Sequence, residues 1–349
     1  MEISKERIDK IDREGMWEKL CSFPQHWREA MDFTRDVEWE IDTSRIRSVC
    51  FAGMGGSSIG ADLVRAYTVN SCPVPVSVIR DYEIPAWVNE NTLYVSCSFS
   101  GNTEETLSTL EAARKRGAQL FAVTSGGRLL VEASREGFGY VKVPGGFPYR
   151  AALGYTFVPL FRLFQYLGYT PEGEEALEET ARLLEKQMTL YSNPEENRAL
   201  SLARDMLDTL PIIYAGSELT DPVAWRWRTQ MEENAKTLSF GNRFPEMTHN
   251  EIVGWEQITH LTGRLSVLML QDREDNPRVT QRMTIVRDLI EDQTVFVTRV
   301  GSLGNSRLAR QFSLVQLGDW ISVYRALLDE VDPTPIAKID LLKNRLAEL

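Results

Sequence analysis

The most constraining stretch of the chain is Thr92–Thr106. Thr92–Cys97 is an uncharged run of strand length, and it stops at a turn crowded with hydroxyls, Ser98-Phe99-Ser100-Gly101-Asn102-Thr103. Glu104-Glu105-Thr106 follows and opens a helical pattern with apolar residues at Leu107, Leu110 and Ala113. A buried strand that turns tightly into a helix is the unit of an α/β fold. The N–H groups at the start of that helix, and the positive end of its dipole, favour a phosphate. Gly101 permits close approach of an anion and a positive φ. The alternative is an ordinary helix cap, with Asn102 capping and Glu105 closing a capping box. A cap needs one such residue, whereas this turn offers several. The stretch is neither basic nor rich in aromatics, so the expected ligand is one compact anion and not a polymer.

The same unit recurs along the chain. Arg47–Ala52 reads as a strand, followed by Gly53-Met54-Gly55-Gly56-Ser57-Ser58-Ile59-Gly60 and a helix through Tyr67. Further strands are predicted at Pro75–Ile79, Gln119–Thr124, ended by Ser125-Gly126-Gly127, and Tyr140–Val143. Strands alternating with helices predict a parallel sheet with ligands at the carboxyl ends of its strands. The first glycine loop partly fits a dinucleotide fingerprint. Gly53-x-Gly55 matches, Ser58 stands at the third glycine position, and Asp81 lies where a ribose-binding acid would sit. The hydroxyls of Ser57 and Ser58 suit a monophosphate better. A tight turn without a ligand is the remaining alternative.

Residues 1–44 read as short helices around Trp17, Trp27 and Trp39, a packing segment. Residues 150–207 read as helical, the charged run Glu172–Lys186 being a solvated face. A second α/β pattern then begins. Leu210–Ala215 is a strand ended by Gly216-Ser217, with a long helix through Lys236 and further strands at Leu265–Leu270 and Thr294–Thr298. Gly301–Gly304 reads as a loop and 334–347 as a terminal helix. Val49–Gly53 and Ile212–Gly216 match in residue type and position, which suggests two related halves. The expected division is therefore residues 1–150, the helical segment and first α/β domain, and residues 151–349, the connecting helices, second domain and terminal helix.

Composition excludes several classes. The 349 residues suit two domains or one large α/β unit. A net charge of -11 argues against a nucleic-acid partner. No apolar run is long enough to span a bilayer, so no membrane partner is expected. The charged N-terminal stretch lacks the apolar core of a signal peptide. The four cysteines, Cys21, Cys50, Cys72 and Cys97, show no metal-binding or CxxC spacing, which points to a reducing, cytoplasmic compartment. Only three histidines exist, His26, His249 and His260, which argues against a His-built metal site.

Acid–base residues cluster in the second half. Glu232-Glu233-Asn234-Ala235-Lys236 is followed by Phe244-Pro245-Glu246-Met247-Thr248-His249-Asn250-Glu251. A carboxylate in a partly apolar pocket, or an imidazole, can serve as a general base near neutral pH. Structural alternatives are a Glu232–Lys236 helix pair and His249 as a cap for the next helix. Arg150 follows Pro148-Tyr149 and could be no more than a surface charge at a helix start. His26 and His260 are expected to pack rather than react.

Taken together, Gly53–Gly60, Ser98–Thr106, Glu233-Asn234-Ala235-Lys236, Pro245-Glu246 and His249-Asn250-Glu251 resemble the bifunctional phosphoglucose/phosphomannose isomerase family, a branch of the sugar-isomerase (SIS) domain proteins. The likeness runs from about residue 45 to Asp332-Pro333-Thr334-Pro335 and Leu342-Lys343. It implies two SIS domains, each a mainly parallel sheet flanked by helices. It implies interconversion of glucose 6-phosphate or mannose 6-phosphate with fructose 6-phosphate through a cis-enediol, without metal or other cofactor. By position in the motifs, Gly55, Gly56, Ser57, Ser98, Ser100 and Thr103 would bind the phosphate. Glu233 would move the proton between C1 and C2, and Arg150 would stabilise the enediolate. His249 would assist ring opening with Lys343, reaching the substrate from the second subunit of a homodimer. Glu232 is a successive helical position and is expected to point outside. A SIS-type sugar-phosphate-binding regulator is the alternative. It would need an effector domain, and neither end shows a helix-turn-helix pattern or a basic segment.

Overall fold

The computed structural model describes residues 3–257 and 260–348. Helices α1 (Lys5–Ile11), α2 (Met16–Cys21) and α3 (Phe23–Phe33) precede the first strand, β1 (Ser48–Ala52). Then come α4 (Gly56–Thr68), β2 (Val76–Ile79), β3 (Thr92–Cys97), α5 (Glu104–Lys115), β4 (Gln119–Thr124), α6 (Gly127–Glu136) and β5 (Gly139–Lys142). Three helices follow, α7 (Leu153–Tyr166), α8 (Glu174–Tyr191) and α9 (Arg198–Asp205). The second pattern is β6 (Leu210–Ala215), α10 (Asp221–Glu233), β7 (Phe240–Arg243), α11 (Glu251–Gly254), β8 (Leu265–Gln271), α12 (Pro277–Ile290) and β9 (Phe296–Gly301). The chain ends in α13 (Arg307–Leu328) and α14 (Ala337–Ala347). Among the described residues, no helix is long and apolar enough to cross a membrane.

Packing divides the chain into two compact units. One comprises Ser22–Glu185 and Leu303–Phe312; the other comprises the chain up to Cys21, Lys186–Ser302, and Ser313 onward. The sequence boundary at 150/151 falls in the 3-10 turn Tyr149–Ala151, after the last strand of the first sheet.

The first unit is built on a five-stranded sheet of order β2-β1-β3-β4-β5, every pairing parallel. β3 is buried along its whole length, as a central parallel strand must be. Its neighbour contributes Phe51, which stacks on Phe164 of α7 at 5.6 Å. Burial of Phe51, Phe121 and Phe164 stabilises the unit by roughly 1.5–3 kcal/mol per side chain. On the other face Cys50, Ala52 and Tyr94 pack with Ala113 of α5. Strand order reverses between β1 and β3, and the turns that follow these two strands lie at one edge of the sheet.

The second unit has a four-stranded parallel sheet of order β7-β6-β8-β9. Its order repeats that of the first sheet without the last strand, so β6 takes the place of β1. That is the relation the Val49–Gly53 and Ile212–Gly216 match implies. The turn after β8 is acidic, Asp272-Arg273-Glu274-Asp275, where the turns after β1 and β3 of the first sheet are rich in hydroxyls. Ser302 Oγ donates to Asp272 Oδ2 at 2.6 Å, and the Asp272 N–H donates to Asp275 Oδ2 at 2.9 Å. A Cβ at Gly216 would lie 2.5 Å from Asp275 Oδ2.

Two expected boundaries shift. The last strand begins at Phe296 rather than Thr294, because a 3-10 turn over Glu291–Gln293 delays it. The long helix ends at Glu233, not Lys236. Asn234 follows as the cap, and Lys236 adopts φ 56°, outside the helical region.

Candidate functional site

The first unit assembles the hydroxyl residues at the β1/β3 edge. Gly55 caps α4 with φ 50°, a left-handed conformation suited to glycine. Ser57 stands in the first turn of α4, and its Oγ accepts the Phe99 N–H at 3.1 Å. One hydroxyl thus ties the two turns together. Ser98 Oγ lies 2.8 Å from Thr103 Oγ1 and accepts the Gly101 N–H at 3.1 Å. Ser100 Oγ accepts the Asn102 N–H at 3.2 Å, and Ser100 is exposed. Thr103 occupies the cap position of α5, but its side chain is spent on Ser98 and caps no helix N–H. The capping alternative fails at Asn102 as well, whose Oδ1 accepts the Arg128 N–H at 2.9 Å.

Backbone crowding fixes this arrangement. Gly101 has φ 70°, and a Cβ there would sit 1.8 Å from the Gly126 carbonyl oxygen. The Ser125 N–H and Oγ both donate to the Phe99 carbonyl, at 3.0 and 2.6 Å. The turn after β4 therefore braces the turn after β3. Each helix start presents N–H groups with no partner inside its own helix. Two such starts on adjacent strands make a strong anion seat.

Arg150 is in the same neighbourhood. A Cβ at Gly56 would lie 3.6 Å from Arg150 Cα and 2.5 Å from the Tyr149 ring. The side chain is 2% exposed, so it is not a surface charge at a helix start. A permanently charged residue is thus buried in the chain that packs against the first turn of α4. Sequence reasoning passed over Arg80, at the end of β2, whose Nε donates to Ser58 Oγ at 3.0 Å and which pairs with Asp62. Asp81, the ribose-acid candidate, is exposed, and its Oδ1 accepts the Tyr82 N–H at 2.6 Å.

The second unit carries Glu233, His249 and Lys343. Glu233 is half-buried at the last position of α10. The helix is set against α13 by a polar ladder. Arg226 Nε and Nη2 donate to Asp319 at 2.8 and 2.7 Å, and Gln230 Nε2 donates to Asp319 Oδ1 at 2.8 Å. Asn234 Nδ2 donates to Ser322 Oγ at 2.9 Å, next to Glu233 in sequence. The Lys236 ammonium donates to the Glu233 carbonyl and to that of Pro333, the latter at 3.1 Å. A cation on the last carbonyls of α10 suits the negative end of its dipole. The alternative of a Glu232–Lys236 helix pair does not apply, because Lys236 has left the helix.

Glu232 corrects the expectation that it points outside. It is half-buried against Arg228 and the Ser239 amide. Burial pushes its carboxyl above the ordinary range, Arg228 and the Ser239 amide oppose this, and the charge of Glu233 adds to it. His249 is exposed at the end of the 3-10 helix Glu246–His249, and Asn250 rather than His249 caps α11. Lys343 is exposed on α14. His26 is 3% exposed and stacks on Tyr155 at 4.5 Å, a packed histidine as expected. Among the described residues, no three His, Cys, Asp or Glu side chains are grouped to hold a metal ion.

Two parallel sheets of related order, one with paired hydroxyl turns at its carboxyl edge, define a protein of the SIS fold. A solved glucose-6-phosphate isomerase like protein from Thermus thermophilus shares that fold. Its TM-score is 0.63 at 19% identity, over 99% of each chain. A family model described as the bacterial phospho-glucose isomerase C-terminal SIS domain matches residues 195–346. A bifunctional phosphoglucose/phosphomannose isomerase from Caldicellulosiruptor bescii is 42% identical, covering 96% of this chain and 99% of that protein. One from Aquifex aeolicus is 34% identical, covering 90% and 96%. The chain belongs to the bifunctional phosphoglucose/phosphomannose isomerase family and is an isomerase.

Proposed function

We propose that the protein interconverts glucose 6-phosphate or mannose 6-phosphate with fructose 6-phosphate through a cis-enediol, without a metal ion. The observation that carries this reading is the Phe99 N–H···Ser57 bond, which joins two helix starts into one anion seat beside Arg150. An aldose–ketose isomerisation needs one base that can serve either of two adjacent carbons, and positive charge near their oxygens. Glu233 is the base. Arg150 stabilises the enediolate. Ser57, Ser98, Ser100 and Thr103 hold the phosphate, with the backbone at Gly55 and Gly56. That remote contact orients the reacting carbons. His249, from the second copy in a homodimer, and Lys343 open the sugar ring.

Incubation with fructose 6-phosphate in EDTA, without nicotinamide cofactor, should yield both aldose 6-phosphates. Binding without turnover would favour the regulator. Turnover lost on adding EDTA and restored by a divalent ion would overturn metal independence.

The phosphate seat has its own test. Ser100 is exposed and Thr103 half-buried, so neither side chain is needed by the core. Ser100→Ala and Thr103→Ala should each weaken substrate binding by about 1.5–3 kcal/mol, the worth of a hydrogen bond to a charged group. Thermal melts should stay close to the parent. Titration calorimetry with fructose 6-phosphate reads the first effect. Unchanged affinity in both variants would reduce the turn to a structural element.

A further inference from the structure

The residues around His249 form a frame that the assigned roles do not use. Phe244 and Met247 on one side, and Trp255 on the other, are buried in one core cluster with Tyr214 of β6. Between them the chain is tied down by side chains. Arg282 Nη1 donates to Thr248 Oγ1 at 2.5 Å, and Asn250 Nδ2 donates to Glu246 Oε1 at 2.8 Å. The strongest tie is at Glu251. Tyr214 Oη donates to Glu251 Oε1, and Asn242 Nδ2 donates to Glu251 Oε2 at 2.7 Å. Trp255 Nε1 donates in turn to Tyr214 Oη at 3.3 Å. Both carboxylate oxygens are thus matched by donors on two neighbouring strands, while His249, two residues earlier, is exposed.

We infer that Glu251 is a positioning residue, whose carboxylate, clamped by Tyr214 and Asn242, fixes the direction in which His249 is presented to the substrate. The functional part of this inference rests on His249 acting in ring opening. A carboxylate is required because two donors face its two oxygens. An amide has one acceptor oxygen, so Gln at this position would turn its NH2 either to Asn242 Nδ2, losing that tie, or to Tyr214 Oη, whose hydroxyl would have to reverse from donor to acceptor while it also accepts from Trp255. Either way the clamp is rearranged and His249 loses its fixed direction.

Two measurements on the full chain separate the inference from the reading beneath it. The chain has three histidines, so the imidazole NMR signals of His249 can be assigned by their loss in His249→Ala. In Glu251→Gln the His249 signals should shift or broaden while those of His26 and His260 hold. Tyr214→Phe removes one donor without adding another and should do the same to a smaller degree; it serves if Glu251→Gln does not fold. Unmoved His249 signals in a folded variant would overturn the inference. In turnover, Glu251→Gln should lower kcat for the cyclic hexose phosphate on the order of ten- to a hundredfold, as for a displaced catalytic group, with KM nearly unchanged. Added to His249→Ala it should cause no further loss. Full additivity would overturn the inference. Wild-type turnover in His249→Ala would instead remove His249 from the mechanism, and the NMR result would still decide the positioning.

Discussion

Glu233→Gln should reduce isomerisation of fructose 6-phosphate by roughly 10²–10⁴-fold, the range typical of a lost general base. The substitution keeps the side chain's shape and hydrogen-bonding reach at the end of α10. It removes the proposed proton acceptor. Affinity for fructose 6-phosphate should hold, because the proposed phosphate contacts are in the turns after β1 and β3. The check is kcat from a coupled assay, set beside a dissociation constant from calorimetry. Turnover within a few-fold of the parent would place the base elsewhere. Glu232 is the first place to look, since it is half-buried and its carboxyl is shifted upward by burial.

Asp319→Ala should be the most destabilising single change in the second unit. Asp319 receives Arg226 through two hydrogen bonds and Gln230 through one, and both Arg226 and Asp319 are almost wholly buried. Removing the acid takes the Asp319 carboxylate from a buried guanidinium, at a cost of about 3–5 kcal/mol. Truncating the arginine instead strands the carboxylate, with a similar cost. The double variant Arg226→Met with Asp319→Leu should recover much of the loss, since a well-packed apolar pair avoids burying charge at all. Urea unfolding of the four proteins measures this. A loss below about 1 kcal/mol for Asp319→Ala would mean that water reaches the pair, as it does for surface ion pairs.

The parts of the fold that could be read in advance are those with a local cause. Thr92–Cys97 is uncharged and apolar because both faces of β3 are covered, and its ending at Ser98 marks where the turn must begin. The relation between β1 and β6 shows in the sequence because equivalent strands see equivalent packing. β7 was missed for the opposite reason. Phe240-Gly241-Asn242-Arg243 has neither alternation nor an apolar run, and it lies at the sheet edge with Phe240 exposed. Backbone pairing to β6, not side-chain pattern, makes it a strand. Burial of Arg150 was equally illegible, because the groups around it come from a loop remote in sequence. The same holds for the Ser57–Phe99 bond, between residues 42 positions apart. The match of motifs supplied Glu233, His249 and Lys343, and no periodicity would have singled out any of them.

The acidic turn after β8 bears on the history of the chain and on its stoichiometry. Related strand orders in the two sheets fit duplication of an ancestral unit, which would have carried two equivalent crevices. The copy at β1 and β3 carries the linked hydroxyls of Ser57, Ser98 and Thr103. In the other copy the Asp272 carboxylate accepts from Ser302 Oγ, and the Asp275 carboxylate accepts from the Asp272 backbone N–H. Fixed negative charge at that depth repels a phosphate rather than seating it. On the function proposed above, divergence of the two halves would leave one hexose phosphate bound per chain. On the same reading, the duplicated half would serve as the scaffold for the proposed base, Glu233.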